Sequence, residues 1–506
     1  MSVTLQEGCL GLGDFERYRE NNRLEAKAAQ KGLPKSIWET YSSFANTAGG
    51  VILLGVAERK DHSLYPVGVD DVQRELNDFW NAVNNPGKVS ARVLGDSNVH
   101  IEKIDGMDIV TIEIPRANRR VKPVFINGNP LYSYRRNHSG DYRCTYAEVQ
   151  SMMRDAAEES QDSKPLPNVR VDELNADTVR SYRNRYRAGH DNHPWNDLPD
   201  GEFLRCIGAA AMCDDGELHP TGAGLIMFGD DWRIHEEFPE YFLDYRQQTS
   251  PDSRWQDRVI SQGGDWSGNA YDFYYRVYNL MKQALKMPFK MEGVHRVDDT
   301  PAHRALREAL ANCLTNANWH ERRGVVCLWE EDRLVIANPG DFRVDIETAM
   351  RGGESDPRNG NMMQIFSYID VGERAGSGLP KIMGGWRESG YAAPSYEERF
   401  GPDRTILTLP LTLAVSVGNA ANPENERQKL AAKIGGKSER NKEAILAFMR
   451  ECGSVKTSEV AVRLNLSIAR ARGLLRELVA EGSVVAEGES RARRYRIPED
   501  SDVNAG

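Results

Sequence analysis

Glu20 and Glu25 stand five residues apart in RENNRLEAKAAQ, and Glu58 closes the apolar run VILLGVA further along the chain. Three carboxylates brought together can hold a hard divalent cation, Mg²⁺ or Mn²⁺, through oxygen. Such a cation activates water and stabilises the charge that grows on a phosphodiester. LEAK alternates apolar, acidic, apolar and basic residues, so Glu25 and Lys27 share one face of a short strand, and the ammonium stabilises the same charge. Glu20 lies at an odd spacing and joins Glu25 only if Asn21 and Asn22, both turn-tolerant, reverse the chain. The competing reading is three surface acids near strand ends, where Glu is common.

A second constellation lies in PAHRALREALANCLTNANWH. Leu306, Leu310, Leu314 and Ala317 form an apolar helical stripe, while Glu308, Asn312 and Asn316 follow one another at i, i+4 and i+8. Asn is a poor helix former, so two beside a Glu suggest a task other than solvation: Glu to polarise water, Asn312 to ligate the magnesium of a nucleotide. A hairpin pattern then runs to Asn338 and Gly340. RAGSGLPKI follows, where Gly376 and Gly378 allow close backbone approach ahead of a helix opened by Pro380, its N-terminus toward phosphate. The alternative is a polar helix face packed on a neighbour. No Walker A motif occurs, which excludes a P-loop motor.

Cations interleave with aromatics between the two sites. Arg116, Arg119, Arg120, Lys122, Arg135, Arg136 and Arg143 surround Tyr132, Tyr134 and Tyr142, a composition suited to phosphate contact and base stacking, or to a solvated positive surface. The chain as a whole carries a net charge of -10, so contact with a polyanion must use such local patches.

The elements that position these groups fall into three blocks, 1–155, 165–412 and 438–498, divided by the polar stretches DAAEESQDSKPLPN and GNAANPENERQKLAAKIGGKSERN. A chain of 506 residues is too long for one core. In the first block Ser36 and Glu39 fit a capping box, and Ile37, Tyr41, Phe44, Ala45 and Ala48 fall on one helical face. Gly49 and Gly50 stop that helix, and VILLGVA reads as one buried strand. Further strands are expected at HIEKI, MDIVTIEIP and LYSYRR. In the last block three amphipathic helices and a hairpin succeed one another, with Ser467 as N-cap of the third helix. This is the layout of a winged helix-turn-helix, with Arg470, Arg472 and Arg476 toward a groove and Arg491, Arg493 and Arg494 toward a flanking backbone; the same fold also serves dimerisation. Seven scattered cysteines without CxxC argue for reduced thiols and against structural zinc. No apolar run is long enough to span a bilayer and the N-terminus has no apolar signal core, so a cytoplasmic protein is expected.

LEAK, SSFANTAGGVILLGV and KPVFINGNPLYSYRRNHSGDYRCTYAEV resemble the Schlafen AlbA-type nucleic-acid-binding domain across roughly residues 14–155. Some members of that family cut transfer or ribosomal RNA with three acidic residues, which the resemblance places at Glu20, Glu25 and Glu58. The third is usually Asp, and Asp61 lies close by. ALREALAN, IANPGDF, ESDPRNGNMMQIF and GERAGSGLPKI resemble a GHKL-like ATP-binding domain over roughly residues 200–412. That resemblance implies Glu308 as general base, Asn312 as magnesium ligand and Gly376 with Gly378 as phosphate loop. The acid expected to read adenine is replaced by Asn338, Pro339 and Gly340.

The expected fold is therefore α+β and multidomain: an AlbA-like α+β domain, a degenerate GHKL-like α/β sandwich and a small winged helix. The expected function is an ATP-binding nucleic-acid effector acting as a regulated, metal-dependent endonuclease on RNA such as tRNA, in antiviral defence by resemblance. The alternatives are a non-catalytic, ATP-responsive, DNA-binding transcription regulator and an oligomeric assembly scaffold. The expected partners are RNA or DNA, ATP, and further copies of the chain.

Overall fold

A computed structural model describes residues 23–248, 255–285, 291–292, 295–296, 299–372 and 376–414, and in the C-terminal segment 442, 444–446, 448–450, 452–464, 468–480, 483–487 and 494–498. The chain divides into two compact units, Met1–Ala414 and Val415–Gly506. The architecture is α+β throughout, and no helix among the described residues is long and apolar enough to cross a membrane.

The first unit begins with β1 (Leu24–Lys27), α1 (Ile37–Asn46), β2 (Gly50–Leu54), β3 (Val56–Glu58), β4 (Leu64–Pro66), α2 (Val72–Val83), β5 (Val99–Ile104), β6 (Met107–Ile114), β7 (Tyr134–Asn137), β8 (Gly140–Arg143) and α3 (Tyr146–Ala156). A four-stranded sheet of order β1-β2-β6-β5 pairs β1 parallel to β2, with Glu25 opposite Ile52; α1 is the connection that parallel pairing requires. The helical stripe buries Ile37, Tyr41, Phe44 and Ala45 completely. Ser36 makes no side-chain cap, contrary to the expected capping box. VILLGVA is two strands rather than one, because Gly55 takes φ +82 and turns the chain out of the sheet into the β3–β4 hairpin.

The chain continues through α4 (Ala176–Gly189), α5 (Asp200–Cys206), β9 (Ala210–Met212), β10 (Leu218–Pro220), α6 (Gly222–Phe228), α7 (Asp231–Glu237), β11 (Leu243–Gln247), β12 (Asp257–Ile260), α8 (Ala270–Ala284), β13 (Met291–Glu292) and β14 (His295–Arg296). It closes with α9 (Pro301–Asn316), β15 (Val325–Trp329), β16 (Arg333–Pro339), α10 (Ile346–Arg351), α11 (Gly360–Ser367), α12 (Gly378–Glu388), β17 (Ser395–Arg399) and β18 (Arg404–Pro410). Its main sheet has the order β12-β11-β15-β16-β18-β17, and α9 packs on β16 between α8 and α12. The β15–β16 hairpin is the one the sequence pattern predicts. The two largest apolar cores lie one around α1 and the first sheet and one around α6, α8, α9 and the six-stranded sheet, and a smaller cluster of Leu24, Val51, Leu53, Val56, Leu64 and Ile109 stands apart from both.

The second unit has its own core, built on helices Thr457–Arg463 and Ile468–Ala480 and a three-stranded antiparallel sheet.

Asn46 closes the first core. Its Nδ2 donates to the carbonyls of Val124 at 2.8 Å and Tyr134 at 3.1 Å, and its Oδ1 accepts from Val124 N–H at 2.8 Å. One fully buried amide thus satisfies backbone groups of two segments that lack a ladder partner there. Replacing Asn46 with Ala strands the Val124 N–H and the Tyr134 carbonyl, while the Val124 carbonyl still accepts from Ser42 Oγ at 2.7 Å; each stranded group costs roughly 1–3 kcal/mol. Asn46→Ala is expected to lower the stability of this unit by about 2–4 kcal/mol in chemical denaturation, whereas Asn77→Ala, on the exposed face of α2, serves as the near-silent control.

Candidate nucleotide cleft and the ionic seam behind it

A cleft with about 120 Å³ of room for water-sized groups lies between α9, the start of α12 and the six-stranded sheet. Asn312, Asn316, Asn338, Gly376 and Gly378 all line it, together with the apolar Ile336, Met363 and Leu407. Asn312 Nδ2 donates to Glu308 Oε1 at 3.3 Å, and Asn316 Nδ2 to the Asn312 carbonyl at 2.9 Å, so the polar stripe of α9 is internally bonded. Glu308 is buried just beyond the cleft lining, and a Cβ on Gly378 would fall 2.7 Å from its Oε1 and 2.6 Å from Asn312 Nδ2. Only glycine lets the first turn of α12 come this close to the stripe. Gly376, at φ +64, is pressed against the backbone of Glu354, where a Cβ would sit 2.6 Å from its nitrogen and its oxygen.

Gly340 has a different task. At φ +99 it leaves room for the Arg358 guanidinium, which a Cβ would meet at 2.1 Å. Asn338 is buried and donates to the Pro339 carbonyl at 3.1 Å. The segment after Gly340 supplies what sequence reasoning missed: Asp341, Phe342 and Arg343 line the cleft with one side and face the AlbA-like region with the other.

The expected basic surface is largely spent on that contact. Arg116 forks onto Glu398 at 2.6 and 2.9 Å and also donates to Asp341 at 2.8 Å and to the Phe342 carbonyl at 2.6 Å. Arg135 forks onto Asp403 at 2.6 and 2.8 Å, Arg119 pairs with Asp356, and Lys122 Nζ lies 3.5 Å from Asp341. From the other side Arg358 binds Asp155 of α3 at 2.7 and 3.0 Å, Asp341 at 3.1 Å and the Asn316 carbonyl at 3.0 Å. Burial opposes ionisation of Asp341, yet Lys122, Arg116 and Arg358 around it hold its carboxyl well below the usual range. Of the cations expected to face nucleic acid in this block, Arg120 is exposed, as is Arg143, which stacks over the exposed Tyr132 at 4.5 Å. Tyr142 and Tyr146 are exposed on the same stretch. Residue spacing registers the density of cations, whereas their partners lie far along the chain.

The carboxylate constellation is placed only in part. Glu20 lies outside the described residues. Glu25 and Lys27 share a face as expected, and they pair at 2.5 Å; the other oxygen of Glu25 accepts from Arg136 at 2.6 Å. Glu25 is buried, and Arg136 also binds Asp141 at 2.9 Å. Arg136 is therefore internal rather than surface. Glu58 pairs with His62 at 2.7 Å, and Asp61 accepts from Ser63 N–H and Oγ within its own turn.

In the second unit Arg472 and Arg476 are exposed on helix Ile468–Ala480. Arg494 is exposed and its Nε donates to Ser454 Oγ at 2.9 Å. Arg470 falls in that helix with its side chain outside the description, and Arg491 and Arg493 lie outside the described residues, as does Ser467. A further group, Cys213, Asp215 and His219 on the β9–β10 hairpin, brings three metal-capable ligand atoms within 4.8 Å of one another.

Family models match four stretches: "Schlafen, AlbA_2" at residues 20–145, a domain of unknown function at 150–244, "Putative ATP-dependent DNA helicase recG C-terminal" at 329–408, and "FaeA-like protein" at 441–491. The third spans most of the cleft but begins after α9. Schlafen AlbA-like and RecG-like ATPase-type regions together point to a nucleic-acid-related, ATP-binding protein. Among solved structures, the DIP2311 protein of Corynebacterium diphtheriae is 16% identical with 94% of each chain covered and a TM-score of 0.39. The N-terminal domain of a protein titled "Putative ATP-dependent DNA Helicase RecG-related" from Nitrosomonas europaea is 25% identical over 24% of this chain and 82% of its own, with a TM-score of 0.19. Scores this low establish no shared architecture. No curated protein matches the chain.

The seam makes a pH prediction. Burial drives the Lys122 ammonium down to about 8 against an ordinary value of 10.5, with Asp341 only partly restoring it. Between these values the unfolded chain still binds a proton that the native state has released, so stability from this group rises with pH, by at most about 1.4 kcal/mol per unit. The unfolding free energy of the wild type relative to Lys122→Met is expected to climb between pH 8 and 10 in urea titrations. A flat difference contradicts it.

Proposed function

We propose that this chain is an ATP-responsive nucleic-acid-binding protein in which the nucleotide cleft controls the AlbA-like domain through the ionic seam. The observation that supports it is the double use of Asp341–Arg343, which wall the cleft while Asp341 pairs with Arg116 and Lys122 and Arg343 with Asp155. Arg343 reaches Asp155 at 3.0 Å, while its buried Nε has no partner. Triphosphate oxygens entering the cleft compete with Asp155 for Arg343, the cation among its lining residues, since guanidinium groups bind phosphate as readily as carboxylate. Loosening the seam then frees Arg116, Lys122 and Arg135 for a nucleic-acid backbone beside the exposed Tyr142 and Tyr146, which suit stacking on unpaired bases. In this reading Asn312 holds the nucleotide magnesium and Gly376 with Gly378 admit the phosphates, while Arg472, Arg476 and Arg494 of the second unit add a separate nucleic-acid contact in a winged-helix arrangement.

A catalytic version, in which Glu20, Glu25 and Glu58 hold Mg²⁺ or Mn²⁺ for RNA cleavage with Lys27 beside them, rests on the shared face of Glu25 and Lys27. It requires Glu25 to exchange Arg136 and Lys27 for the metal.

Binding of the full chain to a labelled single-stranded RNA, to tRNA and to duplex DNA, with and without Mg-ATP, tests the proposal. ATP is expected to tighten RNA binding at least tenfold and to steepen its salt dependence by about 2–3 in log–log slope, as three more cations meet phosphate. Asn312→Ala is expected to abolish the response, and Asp341→Asn to bind tightly without ATP. Calorimetric ATP binding that leaves nucleic-acid affinity within twofold overturns the coupling, and absence of ATP binding overturns the whole reading. Adding Mn²⁺ to the same RNA mixtures decides the catalytic version: cleavage by the wild type that Glu25→Gln abolishes supports it, and intact RNA in both sinks it.

A further inference from the structure

The hairpin that joins β9 to β10 places Cys213, Asp215 and His219 around one point, far along the chain from the residues used above. His219 Nδ1 lies 2.8 Å from the Val169 carbonyl, which can only accept, so this nitrogen carries the proton. Its Nε2 is thereby aimed at Asp215 Oδ2, 2.8 Å away. Two lone-pair donors facing each other at this distance need a positive centre between them, either a second proton on the imidazole or a metal ion. The remaining oxygen of Asp215 accepts from Glu217 N–H at 2.9 Å, which fixes the carboxylate with Oδ2 toward the histidine.

Cys213 decides between the two. A salt-bridged Asp–His pair has no use for sulfur, whereas here the thiol completes a set of three ligand atoms. Ligands around a tetrahedral zinc stand about 3–4 Å apart, given bonds of about 2.0 Å to nitrogen and oxygen and about 2.3 Å to sulfur. The set therefore needs only small side-chain adjustments to close on the ion. An imidazole whose other nitrogen donates to a backbone carbonyl is the usual outer-shell arrangement of a zinc histidine. The mix of thiolate, imidazole and carboxylate suits zinc or cobalt, while magnesium and calcium take oxygen alone. The loop is tight: Cys213 N–H donates to the Glu217 carbonyl and Gly216 N–H to the Cys213 carbonyl, both at 3.0 Å, and Gly216 sits at φ +80.

We propose that Cys213, Asp215 and His219 bind one zinc ion, with water in the fourth position, and that the ion staples the β9–β10 hairpin to the segment that leaves the AlbA-like domain. That segment is tied to the hairpin by His219 on Val169 and by Leu166 N–H on the Pro220 carbonyl at 2.9 Å. The expectation of a chain without structural zinc rested on the absence of CxxC and of Cys/His pairing at ligand spacing. A C-x-D-x₃-H arrangement escapes that search because one ligand is a carboxylate.

The test is Co²⁺ titration of the full-length protein after chelation. One equivalent is expected to give the visible bands of tetrahedral cobalt and a sulfur-to-cobalt charge-transfer band in the near ultraviolet. Cys213→Ser is expected to remove the charge-transfer band, and Asp215→Asn and His219→Ala each to weaken Zn²⁺ at least tenfold in competition with a fluorescent chelator. Zn²⁺ is expected to raise the melting temperature of the wild type and not of Cys213→Ser. Should His219→Ala fail to fold, the two loop variants carry the test alone. A wild type with no sulfur-to-cobalt band, or variants that match its stoichiometry and spectrum, overturns the site.

Discussion

The contact between the AlbA-like region and the cleft-bearing region is made of charge. Its members come from opposite ends of the first unit: Arg116, Arg119, Lys122 and Arg135 from one side, Asp341, Asp356, Glu398 and Asp403 from the other, with Arg343 and Arg358 returning the exchange onto Asp155. Buried ions lose hydration that their attraction scarcely repays, so such a seam adds little net stability over an apolar one. Removing one partner is another matter, since the stranded charge then costs about 3–5 kcal/mol. The seam is therefore specific in register and intolerant of partial occupancy. It is also the kind of contact that a polyphosphate can exchange, because its donors are those that bind phosphate elsewhere. Two apolar cores packed directly against each other would respond to no anion.

The cleft depends on the same constraint. Arg358 anchors the last carbonyls of α9 through Asn316 and reaches Asp155 and Asp341 only because Gly340 has no side chain. The first turn of α12 closes on Glu308 and Asn312 only because Gly378 has none. One glycine thus serves the seam and another the polar stripe of α9. A β-carbon at the first would push the guanidinium off the wall that separates the two. Cleft shape and domain docking are for that reason one problem in packing, with Asp341 in both solutions.

Local pattern made much of this legible. The α1 stripe, the polar stripe of α9 and the β15–β16 hairpin follow from periods of 3.6 and 2, which report the face on which a residue lies. Period says nothing about what lies opposite. Arg116, Lys122 and Arg135 looked like a surface because their carboxylates are more than two hundred positions away, at Asp341, Glu398 and Asp403. Asn46 stood inside the recognisable FANTAGG motif, yet its bonds to Val124 and Tyr134 depend on tertiary placement. Gly55 was read through as part of a strand because apolar runs flank it, and its positive φ became visible only with the β3–β4 hairpin. Gly340 was assigned to the nucleotide by its motif, while its freedom from a side chain is used by Arg358.

Charge balance also weighs the first carboxylates. Among the described residues Glu25 and Asp141 meet Arg136 and Lys27, two negative groups against two positive. Asp141 accepts further from Thr40 Oγ1 at 2.7 Å, and the Arg136 guanidinium lies 5.1 Å over the Phe44 ring. The cluster thereby clamps the β7–β8 hairpin onto α1. A divalent cation is favoured where carboxylates outnumber cations, and among the described residues it would enter a neutral set and displace a buried arginine from its acid. Expelling Arg136 would also release the hairpin from α1. Among the described residues Glu25 therefore helps to hold the β7–β8 hairpin, with its exposed Tyr142, against the sheet.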